Sequence, residues 1–240
     1  ADVAILCLPD DAAAEAVGLI ENPETRVIDT STARRVAPEW SYGLPEVSRQ
    51  QKEAIRVADR IANCGCYPVG YILAVRPLVE AGLIDPQTLL TVNAASGYSG
   101  GGQRMIEAYH AAAAEANGGS GNAALAFSSY NLAGGHKHLP EMTAYSGVER
   151  PPLFIPSVVH TYCGMLVATP LTAPQLARDV DCEAIVDIWD EYYADAPFVQ
   201  PLRAGGALRD GRQVRARRRP EAVFDAHTIQ QFAQQGARLP

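Results

Sequence analysis

Within its first 63 residues the chain passes three times through a short apolar run, with helix-type stretches between, and that alternation restricts the fold more than any other feature. "VAILCL" (3–8) is apolar and stops at Pro9-Asp10, the pattern of a buried strand running into a helix start. "DDAAAEAVGLI" continues as an alanine-rich helix with acidic residues at its front, where the helix dipole favours negative charge. "TRVIDTST" (25–32) gives a second strand, and "EAIRVADRIAN" (53–63) contains a third. Strand, helix and strand in alternation belong to an α/β fold with a parallel, doubly wound sheet.

Farther along, residues 69–82 read as a helix in which Pro77 starts a new turn or a kink. A strand over 88–95, a glycine-rich turn and a helix over 103–116 follow. "PPLFIPSVVHTYCGMLVATPL" (151–171) is β-branched and aromatic in two runs, so it reads as further sheet. Ile185, Ile188, Trp189 and Tyr192 have amphipathic helix spacing within 182–197. The end differs in character: seven arginines fall between 203 and 219, with little apolar periodicity before Val223. Such a basic run reads as a solvated or disordered tail rather than a phosphate or nucleic-acid contact.

With 240 residues the chain can bury a sizeable core, and its net charge of −7 argues against a general nucleic-acid binder. No apolar stretch is long enough to suggest a membrane span, and no signal peptide is visible. The five cysteines (Cys7, Cys64, Cys66, Cys163, Cys182) are too irregular for a disulfide framework and imply a reducing, cytoplasmic compartment. Because a strand is under way from the opening "ADVAIL", without methionine, the chain is expected to begin upstream.

"NCGCYP" (63–68) sets two cysteines around one glycine. Zinc needs four ligands, and no second pair at knuckle spacing joins Cys64 and Cys66, His136 and His138 coming closest; no metal is expected. A disulfide across one residue would be strained and labile. Two readings remain from the residues alone. The pair packs as two small hydrophobes, or Cys66 is a nucleophile where a strand meets a helix that Pro68 helps to open, with backbone amides and the helix dipole favouring the thiolate.

The motif resembles the Asn-Pro-Gly-Cys-Tyr-Pro signature of N-acetyl-γ-glutamyl-phosphate reductases, in the shorter branch of that family. "VIDTSTARR" (27–35), "YGLPEV" (42–47), "SGYSGGG" (96–102), "GGHKHLPEM" (134–142) and "GMLVATPL" (164–171) extend the resemblance in the family's order. It implies an oxidoreductase of arginine biosynthesis that uses NADP(H), with a partial Rossmann-type parallel sheet (1–66), an α+β substrate and dimerisation domain of the semialdehyde-dehydrogenase type (67–200) and an atypical tail (201–240). It makes Cys66 the acceptor of an acyl group from an acyl phosphate, His138 the favoured acid/base, and His136 a second candidate or substrate contact. Arg35, Asn63 and Tyr67 become substrate contacts. Ser96, Gly97, Ser99, Gly100 and Gly102 become cofactor contacts, their loop amides cradling an anion at a helix N-terminus. Arg34 reads as a surface charge, His160 as a packed residue, and Lys137 stands open. A homo-oligomer is implied, with a small-molecule substrate and neither nucleic acid nor membrane as partner.

Three departures from the family pattern stand out. No glycine fingerprint precedes the first strand, so about two βαβ units (roughly 60–80 residues) are expected ahead of it. Cys64 replaces a proline, which suggests an oxidative trap for Cys66. The arginine-rich end stands where the family has a strand and an Asp-Asn-Leu-x-Lys-Gly-Ala-type motif. Other readings keep the thioester chemistry with a different acid (an aspartate-semialdehyde dehydrogenase or lysine-pathway relative), or make the chain an inactive remnant that only binds or oligomerises.

Overall fold

The computed structural model describes residues 1–116 and 126–203; the arginine-rich run beyond 203 lies outside them, apart from Arg203. Two four-stranded sheets are joined by one long helix. The first sheet is wholly parallel, in the order β1 (Val3–Leu6), β2 (Arg26–Asp29), β4 (Arg60–Ala62), β3 (Ser41–Tyr42). Ile5, Ile28 and Ile61 stand side by side on one face. Val27 and Ala62 are buried on the other, with Trp40, beneath Leu6, Val17 and Ile20. Val17 belongs to α1 (Asp10–Gly18), whose first turn carries Asp10 and Asp11. β1 is an edge, and its Val3 and Ile5 stay exposed. All three expected strands fall within the stretches that suggested them. The third, β4, follows α2 (Arg49–Val57), a surface helix that buries no side chain and is capped by Ser48 Oγ on the Gln51 N–H at 3.0 Å.

The connecting helix α3 (Cys66–Glu80) starts three residues before its expected beginning at 69. It is apolar on most sides because it is enclosed. Tyr67, Tyr71, Ile72 and Val75 meet Val92, Ala94 and Phe154 of the second sheet and Met142 of α5 (Leu139–Ser146) in one core. Each such side chain contributes about 1.5–3 kcal/mol of burial. Its C-terminal end meets Ile185, Ile188 and Trp189 of α6 (Cys182–Tyr192) around Leu78, Leu83 and Ile84. Pro77 lies inside α3 without ending it. It has no N–H for the Leu73 carbonyl, which takes the Tyr193 hydroxyl instead at 2.8 Å; the adjacent Ala74 carbonyl accepts the Trp189 indole N–H at 3.0 Å.

The second sheet runs β6 (Phe127–Ser129), β7 (Leu153–Val159), β5 (Thr91–Gly97), β8 (Met165–Ala168). β5 and β7 are parallel, and each is flanked by an antiparallel neighbour. One face rests on α3. By register, Leu153, Phe127 and Leu166 share the other face, and all three are exposed. α4 (Gln103–Ala116) follows β5 through the glycine loop.

Candidate active site

β4 hands over to α3 through Asn63, Cys64 and Gly65, and Cys66 is the first residue of the helix. The backbone amides of Tyr67 and of Cys66 itself, at the start of α3, favour the thiolate. Burial nevertheless outweighs these amides and the nearby Arg35 charge, and the Glu141 carboxylate adds to it, so the thiol is pushed up rather than down. The ready-made thiolate expected from the motif is therefore corrected: in the free chain Cys66 is held as a thiol, half-exposed at the surface of the core.

Cys64 points into that core with Tyr42 and Leu44, and burial pushes its thiol up to about 12. It packs as a small hydrophobe, so the oxidative trap expected for the pair does not fit its placement.

Under the nucleophile lies a buried polar knot. Glu141, on the first turn of α5 and 1% exposed, accepts Arg35 Nη1 at 2.6 Å, the Tyr42 hydroxyl at 2.8 Å and the Gly65 N–H at 2.9 Å. Arg35 Nη2 donates to the Thr30 carbonyl at 3.1 Å, and its Nε has no partner among the described residues. Tyr145 stacks on Tyr42 with centroids 3.8 Å apart and donates to the Arg35 carbonyl at 2.8 Å. The first sheet, the loop after β2 and α5 thus all converge on Gly65. A Cβ there would stand 2.5 Å from Arg35 Nη1, 2.6 Å from Glu141 Oε1 and 2.9 Å from His138 Nε2, so only glycine fits.

Both histidines are buried. His138 is the N-cap of α5, and its Nε2 lies against Gly65, one residue from the nucleophile. Burial, then the Arg35 charge, lowers it from an ordinary 6.5 to about 2, so it is neutral. His136 Nδ1 accepts the His138 N–H at 3.1 Å, which leaves the ring proton of neutral His136 on Nε2. The ring stands edge-on to Phe154 at 5.0 Å. Tyr67 is buried below the pair with its hydroxyl on the Ser157 carbonyl at 3.3 Å, a wall of the site more than a free donor. Asn63 is tied through its N–H to the Asp29 carbonyl at 2.7 Å.

The glycine loop is used differently from its sequence reading. The N–H groups of Gly97, Tyr98 and Ser99 donate to the carbonyls of Gly164, Thr161 and Tyr162, each at 2.9 Å. The loop from β7 to β8 lies directly on Gly97, whose Cβ would meet Cys163 Cα at 2.7 Å. Three of the amides expected to cradle an anion are thus engaged by the protein. Ser96 bonds the Gly97 carbonyl, Gly102 donates its N–H to the Ser99 carbonyl at 3.0 Å, and Gly100 packs on the Ser96 hydroxyl.

Sequence reasoning missed Glu141 as a site residue and could give Tyr42, in a motif near the site, no role, although both lie inside quoted motifs. An acid in a first helical turn after a proline reads as an ordinary dipole partner. Its burial follows only from the packing of α5 on α3.

Residues 66–231 match the dimerisation domain of semialdehyde dehydrogenases, and residues 1–55 match their NAD binding domain. N-acetyl-gamma-glutamyl-phosphate reductase 2 of Nostoc sp. is 43% identical over 212 residues, covering 88% of this chain and 65% of the relative. The N-acetyl-gamma-glutamyl-phosphate reductase of Sinorhizobium fredii is 43% identical over 217 residues, covering 89% and 69%. The chain spans about 65% of the length of the Nostoc relative it matches. Among solved structures, aspartate semialdehyde dehydrogenase II of Vibrio cholerae aligns with a TM-score of 0.64 at 18% identity, covering 85% of this chain and 66% of that one, a likeness of fold. On these matches the chain belongs to the semialdehyde dehydrogenase family, in its N-acetyl-γ-glutamyl-phosphate reductase branch.

Proposed function

We propose that this chain carries the acyl-accepting centre of an N-acetyl-γ-glutamyl-phosphate reductase, whose overall reaction converts N-acetyl-γ-glutamyl phosphate to N-acetylglutamate semialdehyde at the expense of NADPH. The observation that carries the reading is the meeting of Cys66, His138 and the Arg35–Glu141 pair around Gly65. In the acyl-transfer half, the Cys66 thiol gives its proton to His138 as the sulfur attacks the acyl carbon. Burial and Arg35 make the resting imidazole a weak base, so the negative charge of the bound acyl phosphate has to raise it for the transfer. The C–S bond forms, the bond from carbon to the phosphate oxygen breaks, and phosphate leaves with a thioester on Cys66. Desolvation of the thiol makes the base necessary: without a proton acceptor the buried sulfur stays protonated. The two amides at the start of α3 then hold the developing negative charge on sulfur. His136, with its proton fixed on Nε2, is a donor for the acyl oxygen.

Neither the start of α1 nor the first three amides of the glycine loop offers a cradle for a dinucleotide pyrophosphate. α1 opens on Asp10 and Asp11, and the amides of Gly97, Tyr98 and Ser99 are already engaged. What this chain's own residues supply is therefore the acyl-transfer half. On this reading the chain divides into a cofactor-side part (1–66) and a catalytic and dimerising part (67–200). The exposed apolar face of Leu153, Phe127 and Leu166 supports pairing with a second copy through the second sheet. All five cysteines are free, which suits a reducing cytoplasm.

The test is phosphate release in a single turnover. N-acetylglutamyl phosphate is expected to give about one equivalent of phosphate per chain, and Cys66→Ser none. A burst with aspartyl phosphate alone contradicts the assigned acid, and a burst from Cys66→Ser contradicts the mechanism.

A further inference from the structure

Between α2 and the C-terminal ends of α3 and α6 lies a groove of about 940 Å³ that the acyl-transfer chemistry does not use. Contacts cross it from one sheet's unit to the other's: Arg49 of α2 reaches Asp195 at 3.0 Å, and the Tyr192 hydroxyl of α6 donates to the Val47 carbonyl at 2.7 Å. Clefts between domains are preferred places for ligands. Five acids line the groove, Glu46, Glu53, Glu80, Glu191 and Asp195, against two bases, Arg49 and Lys52. Asp195 is paired with Arg49, Glu53 with Arg56 at 3.4 Å and Glu80 with Arg76 at 2.7 Å. Glu46 and Glu191 have no ion pair among the described residues, and Lys52 offsets only one of them. Phe198, 69% exposed, and half-buried Tyr192 also line the groove. Spare carboxylates with open aromatic surface suit a guanidinium, which pairs with the one and stacks on the other.

The chain itself brings guanidinium groups to this place. It leaves the groove at Phe198, and Arg203 then lies against α6, with Nη1 on Glu183 at 2.8 Å and Nη2 on Asp187 and Asp190 at 2.7 Å each. Every charged residue of α6 is an acid, so one guanidinium leaves this stripe with charge to spare. Glu191 follows the stripe directly and lines the groove. The described residues end at Arg203, and six arginines stand between 209 and 219. From Arg203 to Arg209 the chain can span about 20 Å, more than the roughly 15 Å length of α6. The two stretches are complementary in charge: residues 178–203 hold seven acids and two arginines, residues 204–240 seven arginines and three acids.

We propose that the groove between α2 and α6 is a docking site for the chain's own arginine-rich segment, in which an arginine of 209–219 meets the unpaired carboxylates of Glu46 and Glu191 while Arg203 anchors the segment on α6. Tethering makes the encounter intramolecular, at an effective concentration of order mM, so contacts that are each weak at an exposed surface suffice. The docked guanidinium adds a further tie between the unit of the first sheet and that of the second.

Limited trypsin digestion of the full chain tests this, because a docked segment is withheld from the protease at Arg212 and Arg215. Each cleavage rate is divided by that of a free peptide copying residues 207–221 in the same mixture, so any effect of salt on the protease cancels. At low salt the chain is expected to be cut at least about fivefold more slowly than the peptide, and the difference is expected to fade at about 0.5 M salt as exposed charges are screened. Glu46→Gln combined with Glu191→Gln is expected to lose about threefold of that protection, the size of two exposed ion pairs. Glu191→Gln alone, at an exposed position, gives the reading if the double variant does not fold. No protection in the wild type, or protection that ignores salt, overturns the proposal. Protection that survives the glutamate variants but falls in Asp187→Asn places the segment on the α6 stripe instead of the groove and overturns it too. Protection that grows with protein concentration over a tenfold range assigns the segment to a second copy, which also contradicts an intramolecular dock.

Discussion

Replacing Glu141 by glutamine removes one charge from a site that is 1% exposed and leaves the shape nearly unchanged. Three donors converge on that carboxylate: Arg35 Nη1, the Tyr42 hydroxyl and the Gly65 N–H. An amide cannot satisfy all three, because one end is itself a donor. Hydrogen bonds to charged groups are worth about 1.5–3 kcal/mol, and breaking a buried ion pair costs about 3–5 kcal/mol. Because glutamine keeps part of the network, Glu141→Gln is expected to lose roughly 2–4 kcal/mol of stability, which lowers Tm by roughly 5–15 °C for a chain of this size. The thiol moves in the opposite direction to stability. Glu141 raises the Cys66 thiol and Arg35 lowers it, so removing the carboxylate's charge leaves the guanidinium to favour thiolate. Cys66 in Glu141→Gln is therefore expected to react faster with iodoacetamide at pH 7 while Cys64, in the core, stays unreactive. Urea unfolding and peptide-level alkylation read the two effects. A variant as stable as the wild type within about 0.5 kcal/mol, or one in which Cys66 slows, refutes the reasoning.

Gly65→Ala puts a methyl 2.5–2.9 Å from Arg35 Nη1, Glu141 Oε1 and His138 Nε2. It is expected to cost about 1–3 kcal/mol as an overpacked site and to abolish acyl transfer, whereas unchanged activity would contradict the crowding. Tyr193→Phe strips the Leu73 carbonyl of the partner it has in place of the N–H that Pro77 lacks; a loss of about 1–2 kcal/mol in urea unfolding is expected, with Cys66 labelling unchanged. Burial first, and then Arg35, holds His138 down to about 2, so in acid the unfolded chain protonates this group before the folded one does. The stability it contributes is complete above about pH 6.5 and is lost as pH falls, by roughly 2 kcal/mol on reaching pH 5. Urea midpoints at pH 7 and pH 5 are expected to differ less in His138→Gln than in the wild type; equal differences would contradict the burial of a neutral imidazole.

Much of the first sheet was legible because its strands are short apolar runs bounded by helix-start residues, and the runs at 3–8 and 25–32 do contain β1 and β2. β3 was not, since two residues carry no periodicity. α3 was placed late because its first turn, "CYP", reads as a motif, while Pro68 is compatible with a helical first turn. The site divides in the same way. Cys66, His138 and Arg35 were legible as residue types in ordered motifs, and the fold brings them around Gly65. The state of the Cys66 thiol was not legible, because a helix N-terminus and burial act in opposite directions and only packing decides which prevails. The glycine loop taught a similar lesson: whether its amides are free depends on the 161–164 loop, some 60 residues away in sequence.

Peptide-level mass spectrometry of the chain after brief exposure to N-acetylglutamyl phosphate at pH 7 tests the central claim most directly. The expected result is an N-acetylglutamyl adduct on the peptide containing Cys66, released by hydroxylamine as a thioester, and absent from Cys66→Ser. An adduct on Cys64, Cys163 or Cys182 instead, or no adduct while phosphate is still released, would contradict the account.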